Sequence, residues 1–151
     1  MFIDMPLSRG HKLRPGTRIT PTSITIHNTG NPTSTARNER AWLDNPTNLN
    51  SNRIASWHYV VDGKEVIRAI PDNELSYHAG RGNRTSIGVE ICEIPGSYEN
   101  GVKFVAWLLN QYKWSTDKLT THREWTGKNC PRLILPKWNE FTQDVQKELN
   151  K

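Results

Sequence analysis

The run Ser86-Ile87-Gly88-Val89-Glu90-Ile91-Cys92-Glu93-Ile94 decides the fold. Ile87, Val89 and Ile91 fall on one side of an extended chain, and Gly88, Glu90 and Cys92 on the other. A strand with one aliphatic face needs a partner on that face. It also carries a carboxylate, Glu90, on the opposite one. A lone carboxylate on a strand is usually a solvated edge residue. A second stretch repeats the arrangement: Ile24-Thr25-Ile26-His27 puts two isoleucines on one face and His27 on the other. Two strands that each end in a polar, chemistry-bearing residue on the non-aliphatic side predict a shared polar floor on one face of a sheet.

Working outward, residues 1–22 are rich in Pro, Gly, Arg and Thr and read as an extended arm laid on the domain rather than a core element. Thr33-Ser34-Thr35 offers N-caps for a helix from about 35 to 43, stopped by Asp44-Asn45-Pro46. Residues 48–53 read as a polar loop. The segment Ala55–Val61 reads as a strand, Asp62-Gly63 as a tight hairpin turn, and Glu65–Ile70 as the return strand. Val102, Val105, Ala106, Leu109 and Tyr112 recur at helical spacing, predicting an amphipathic helix near 100–113. Leu119-Thr120-Thr121 is a short strand running into His122. A final helix after Pro136 carries Trp138, Phe141, Val145 and Leu149 on one face. The order β-α-ββ-β-α-β-α predicts an α/β fold, a central mixed sheet flanked by helices, in one domain of 151 residues.

Composition narrows the partners. Hydrophobic residues make up 34% of the chain and there are 6 Trp, so the core is expected to be compact and aromatic. The net charge of +5 favours a polyanionic surface, but the cations are scattered. No Lys/Arg stripe or Arg-rich helix marks a nucleic-acid binder. No segment is apolar enough to insert in a membrane, and the start Met1-Phe2-Ile3-Asp4-Met5-Pro6 lacks the pattern of a signal peptide. Synthesis in the cytoplasm and a monomeric state are the matching expectations. The two cysteines, Cys92 and Cys130, are expected to be unpaired. Cys92 sits in the apolar strand as a buried thiol, whereas Cys130 lies in a Gly-Lys-Asn-Cys-Pro turn suited to a ligand or a nucleophile.

His27, His122 and Cys130 form a possible three-ligand set that leaves the fourth position of a tetrahedral zinc open to water, the pattern of a catalytic site. The separation of His27 from His122 obeys no compact ligand spacing, so this set gains weight only from its context. Lys128 stands two residues before Cys130 and would project near any metal held there; most lysines in such turns are simply solvated. His58, between Trp57 and Tyr59, reads as a packed residue. His78 lies in a loop open to substrate, and His11 carries no signal.

Taken in order, His27-Asn28-Thr29-Gly30, Ser56-Trp57-His58-Tyr59-Val60-Val61-Asp62-Gly63, His78-Ala79-Gly80, Ser86-Ile87-Gly88-Val89-Glu90 and His122-Arg123-Glu124-Trp125 through Lys128-Asn129-Cys130-Pro131 resemble one family. It is that of the zinc-dependent N-acetylmuramoyl-L-alanine amidases (amidase type 2) found in phage endolysins of Gram-positive hosts, whose fold is shared by peptidoglycan recognition proteins. The resemblance runs from about residue 20 to 140. It implies a Zn2+ cofactor on His27, His122 and Cys130, an acid–base role for Glu90 and an oxyanion-side role for Lys128. It implies peptidoglycan as substrate, cut at the amide joining N-acetylmuramic acid to L-alanine, and hence cell-wall lysis. Trp57 and His78 are the expected substrate contacts. Some relatives have a catalytic Tyr where this chain has Trp57, and an indole does not exchange protons near neutral pH, so the base role rests on Glu90 or on the metal. Two other readings stay open: a cysteine hydrolase using Cys130 with His122 as base, which leaves His27 and Glu90 without a role, and a wall-binding module without catalysis.

Overall fold

The computed structural model describes residues Met1–Lys151. Six strands build one sheet: β1 (Phe2–Asp4), β2 (Ser23–Asn28), β3 (Tyr59–Val61), β4 (Val66–Arg68), β5 (Ser86–Ile91) and β6 (Leu119–Thr121). Their order across the sheet is β1-β4-β3-β5-β2-β6. Only the β3–β4 hairpin is antiparallel; the other pairings are parallel, so the sheet is mixed. Five helices complete the chain: α1 (Ala36–Trp42), α2 (Pro46–Leu49), α3 (Ser97–Gln111), α4 (His122–Thr126) and α5 (Trp138–Leu149). None is long and apolar enough to cross a membrane.

The register explains the two faces. Ile24 pairs with Ile87, Ile26 with Val89, and His27 with Glu90. Because side chains alternate across a strand, the aliphatic set of both central strands points the same way and the polar set the other. Ile24, Ile26, Tyr59, Ile87, Val89 and Ile91 pack with Val105 and Leu109 of α3 and with Phe141 and Val145 of α5 in one buried cluster. Each fully buried aliphatic side chain there contributes roughly 1.5–3 kcal/mol. A second, smaller cluster lies on the opposite face, where Ala36 of α1 and Leu43 just after it meet Leu7, Leu13, Trp57, Val60, Ile67 and Cys92.

Local signals account for α1 and the hairpin. Thr35 Oγ1 accepts the Asn38 amide at 3.1 Å and the Asn38 side chain accepts the Thr35 amide at 2.9 Å, a reciprocal cap. Buried Asp62 then joins the two elements: one carboxylate oxygen accepts the Ala36 amide, and the other accepts those of Lys64 and Glu65, all at 2.8 Å. A Cβ on Gly63 would stand 2.9 Å from the Pro95 carbonyl oxygen, so this turn also requires a residue without a side chain.

Several expectations are corrected. The first 22 residues do lie along the domain, but residues 2–4 form an edge strand paired in parallel with β4, and Leu7 and Leu13 beyond it are buried core residues. Pro and Gly density hid two leucines that belong to the second core. The strand expected over 55–61 is reduced to Tyr59–Val61. Ser56 pairs instead with Tyr77, its amide donating to the Tyr77 carbonyl and its hydroxyl accepting the Tyr77 amide. The polar loop expected at 48–53 loses its first two residues to the short helix α2, which Asn45 caps and Pro46 begins. His122 opens a helix rather than a loop, because the Thr121 side chain accepts the Glu124 amide at 3.0 Å.

Candidate metal centre and cleft

The polar floor forms where β2, β5 and β6 end side by side. His27 comes from the penultimate position of β2, Glu90 from the neighbouring position of β5, and His122 from the first residue after β6. Cys130 arrives on the following loop. The ligand atoms of His27, His122 and Cys130 lie within 4.8 Å of one another. His27 Nδ1 is 3.5 Å from Cys130 Sγ and 3.7 Å from Glu90 Oε2.

These values suit a small tetrahedral cation. Two donors bound at zinc–nitrogen and zinc–sulfur lengths with a tetrahedral angle stand about 3.6 Å apart. His122 Nδ1 is buried with no hydrogen-bond partner in the protein, an arrangement that native proteins avoid unless something else occupies the lone pair. Burial first, then the surrounding imidazoles, holds His27 well below the usual histidine range; burial and Lys128 lower His122. Both rings are therefore neutral at pH 7, the form that donates to a metal. Burial pushes the Cys130 thiol up to about 12, with Glu90 adding to the effect. A coordinated cation would reverse this by deprotonating the thiol.

The Asn28 side chain ties down the segment that follows Cys130. The Asn28 Oδ1 accepts the Leu133 amide at 3.0 Å and the Ile134 amide at 3.3 Å, and its Nδ2 donates to the Ile91 carbonyl. Glu93 adds a second clamp, accepting the Gly30 amide and pairing with the Arg132 guanidinium. Asn28 was quoted in the sequence as a neighbour of His27 without a role, and hydrogen bonding across 105 residues leaves no sequence signal. Replacing Asn28 by Ala strips Leu133 of its amide partner. The expected loss is about 1–3 kcal/mol of folding stability, read from denaturant midpoints at unchanged slope; a midpoint equal to wild type would show that the loop holds itself.

The site opens into a cleft lined by Glu39 and Trp42 of α1, Arg53, Trp57, Tyr77, His78, Glu90 and Lys128. Burial pushes Glu90 up to about 8, helped by the Glu39 carboxylate and opposed by Lys128 and Arg53. Lys128 is exposed at the rim and its field also depresses His27 and His122. Glu39, Arg53 and Tyr77 were not singled out in the sequence, and Trp42, expected from its spacing as an apolar contact of the first helix, is instead 42% exposed at the cleft; all four come from a helix and loops whose approach to the site is set only by tertiary packing.

Trp57 and His78, the expected substrate contacts, line the cleft but are 6% and 7% exposed. Trp57 belongs mostly to the second core. His78 directs Nδ1 at His27 Nε2, 2.9 Å away. His58, as expected, is a packing residue: its Nδ1 accepts the Gly88 amide and its Nε2 donates to the Glu74 carbonyl. Neither cysteine forms a disulfide.

The model of the N-acetylmuramoyl-L-alanine amidase family matches residues 17–133. The chain belongs to this family. It is 39% identical over 142 residues to the N-acetylmuramoyl-L-alanine amidase CwlA of Bacillus subtilis, covering 85% of this chain and 50% of the relative. It is 35% identical over 142 residues to CwlH of the same organism, covering 87% and 56%. The chain thus spans about half the length of these amidases. Among solved structures, the catalytic domain of XlyA superposes with a TM-score of 0.87 at 33% identity, covering 96% of this chain and 99% of that one. PlyL gives 0.84 at 29% identity, covering 96% of each. The mixed sheet with flanking helices is therefore the amidase fold that the five motifs implied.

Proposed function

We propose that this chain is a zinc-dependent N-acetylmuramoyl-L-alanine amidase that opens the amide between N-acetylmuramic acid and L-alanine in bacterial peptidoglycan. The observation that carries the reading is the meeting of His27, His122 and Cys130 at the foot of an open cleft, with a carboxylate beside them. His27, His122 and Cys130 are the residues that would hold the ion. Zinc in a three-ligand site supplies Lewis acidity toward a carbonyl oxygen and lowers the pKa of water to about 7.

The protein's own groups do the rest. Glu90, the carboxylate beside the ligand set at the foot of the cleft, accepts the proton of the attacking water and returns it to the leaving nitrogen. Lys128 faces the carbonyl oxygen on which negative charge develops and stabilises it electrostatically. Trp57 cannot share the proton transfer. Trp42, 42% exposed at the mouth of the cleft, offers an apolar surface for the glycan or peptide. The net charge of +5 favours approach to an anionic cell wall.

Purified peptidoglycan digested with and without a chelator tests the reading by mass analysis. The expected products are peptides with free L-alanine amino termini and no new reducing sugar ends, formed only without chelator. Reducing ends would mean glycosidic cleavage, which requires two carboxylates flanking the sugar bond, and would sink the amidase assignment. Lys128→Ala should lower turnover by on the order of 10²–10³-fold, the effect of losing one oxyanion donor, with zinc content unchanged by elemental analysis. Equal losses of zinc and activity would instead mean that the Cys130 loop had been disturbed.

A further inference from the structure

His78 is buried, yet it makes a chain of hydrogen bonds whose directions can be worked out from donors and acceptors alone. The Trp125 indole N–H donates to Thr25 Oγ1 at 3.0 Å, and Thr25 Oγ1 donates to Ser86 Oγ at 2.8 Å. Ser86 Oγ spends its own proton on the Gly82 carbonyl at 2.7 Å. The Ser86 hydroxyl therefore has no proton left for His78. The only atoms within reach of His78 Nε2 are the Ser86 carbonyl oxygen at 3.2 Å and that hydroxyl oxygen at 3.4 Å, and both can only accept. So Nε2 of neutral His78 carries the proton and its Nδ1 is a bare acceptor. That acceptor lies 2.9 Å from His27 Nε2. His27 must place its proton there, which leaves its Nδ1 free, on the side of Cys130 Sγ and Glu90 Oε2.

The surroundings are built for this ring. A Cβ on Gly88 would lie 2.7 Å from both Cγ and Nδ1 of His78, so β5 is bare where the imidazole crosses it. Asn83 Oδ1 accepts the amides of His78 and Ala79 at 2.8 and 2.6 Å and fixes the backbone.

We propose that His78 is a positioning residue that fixes the ring tautomer of His27, relaying the Ser86 carbonyl through two imidazoles so that His27 Nδ1 is the atom presented to the metal. The metal part of this inference rests on the zinc reading above. Outer partners of this kind orient a histidine ligand and raise its basicity, and their loss typically weakens metal binding by about 10–100-fold. Here the partner is a second histidine instead of the usual carboxylate or carbonyl. This keeps the pocket free of another negative charge next to Glu90.

The test has two readouts, neither of them activity. Nitrogen-15 NMR of histidine-labelled, zinc-free protein reports the tautomer of His27, and chelator competition reports zinc affinity. In wild type, His27 should carry its proton on Nε2. In His78→Leu, the His27 tautomers should mix and zinc should bind about 10–100-fold more weakly. His78→Asn, whose Oδ1 occupies the position of Nδ1, should restore the tautomer and bring affinity back to within a few-fold of wild type. An Nδ1-protonated His27 in wild type overturns the relay, as does a folded Leu variant with unchanged tautomer and affinity. Should the Leu variant fail to fold, the wild-type tautomer and the Asn variant decide between the same outcomes. A wild-type chain that takes up no zinc overturns the metal reading instead, and the tautomer spectrum still decides the relay.

Discussion

Glu90→Gln is expected to keep the fold and the bound zinc while losing about 10²–10⁴-fold in turnover, the usual contribution of a positioned acid–base group. The physical case is that Gln keeps the volume and planar shape of the side chain and removes only its ability to exchange a proton. The Glu90 side chain makes no hydrogen bond to the protein; the neutral His27 ring lies near it, with Nδ1 3.7 Å from Oε2. Nothing structural is therefore lost with the carboxylate. Stability should even rise slightly in the zinc-free protein. There the carboxyl is held up to about 8 by burial, against 4.5 as the ordinary value, so ionisation favours the unfolded chain as pH rises above about 4.5. Thermal melts, zinc content and turnover measured on the same preparation give the answer. A variant within a few-fold of wild type would return Glu90 to a bystander on the sheet.

The role of Glu90 was available only through the family resemblance; what the sequence itself showed was its place on the polar face, because Glu90 alternates with Val89 and Ile91 and the period of a strand is two. The same rule placed His27 opposite Ile24 and Ile26 and predicted that the two residues share a face. The register His27–Glu90 across adjacent parallel strands is the structural form of that prediction. Helices α3 and α5 and the cap at Thr35 were legible for a similar reason: their signals are local. What was not legible depends on packing between distant segments. Nothing about His78 in a loop indicates that its ring slides over Gly88 to reach His27. Nothing in the Pro- and Gly-rich start indicates that Phe2–Asp4 pairs with β4, because a three-residue strand is too short to show a period. Asn28, Glu39 and Arg53 are likewise polar residues of ordinary appearance whose place is fixed by elements far away in the chain.

Cys130→Ser should remove zinc and activity together. Burial holds the free thiol up to about 12, so at neutral pH an unmetallated Cys130 is overwhelmingly protonated and a poor nucleophile, since the thiolate is the reactive form. The orphaned His122 Nδ1 and the nearby ligand atoms of His27 make the thiol one of three converging donors. These features favour the proposed metal site over the cysteine hydrolase that the sequence also allowed, and the variant tests the choice. Serine keeps the shape of the side chain but replaces a soft anionic sulfur with a neutral hydroxyl. The loss in zinc affinity should therefore exceed the ~10–100-fold caused by removing an outer partner. Activity should follow occupancy, falling at trace zinc and recovering in part as zinc is raised. A covalent thiol mechanism predicts the reverse: Cys130→Ser would be dead at any zinc concentration while retaining its metal, and the wild type would ignore chelators. Wild-type turnover that survives complete removal of zinc would reject the metal centre outright and give the chemistry back to Cys130 and His122.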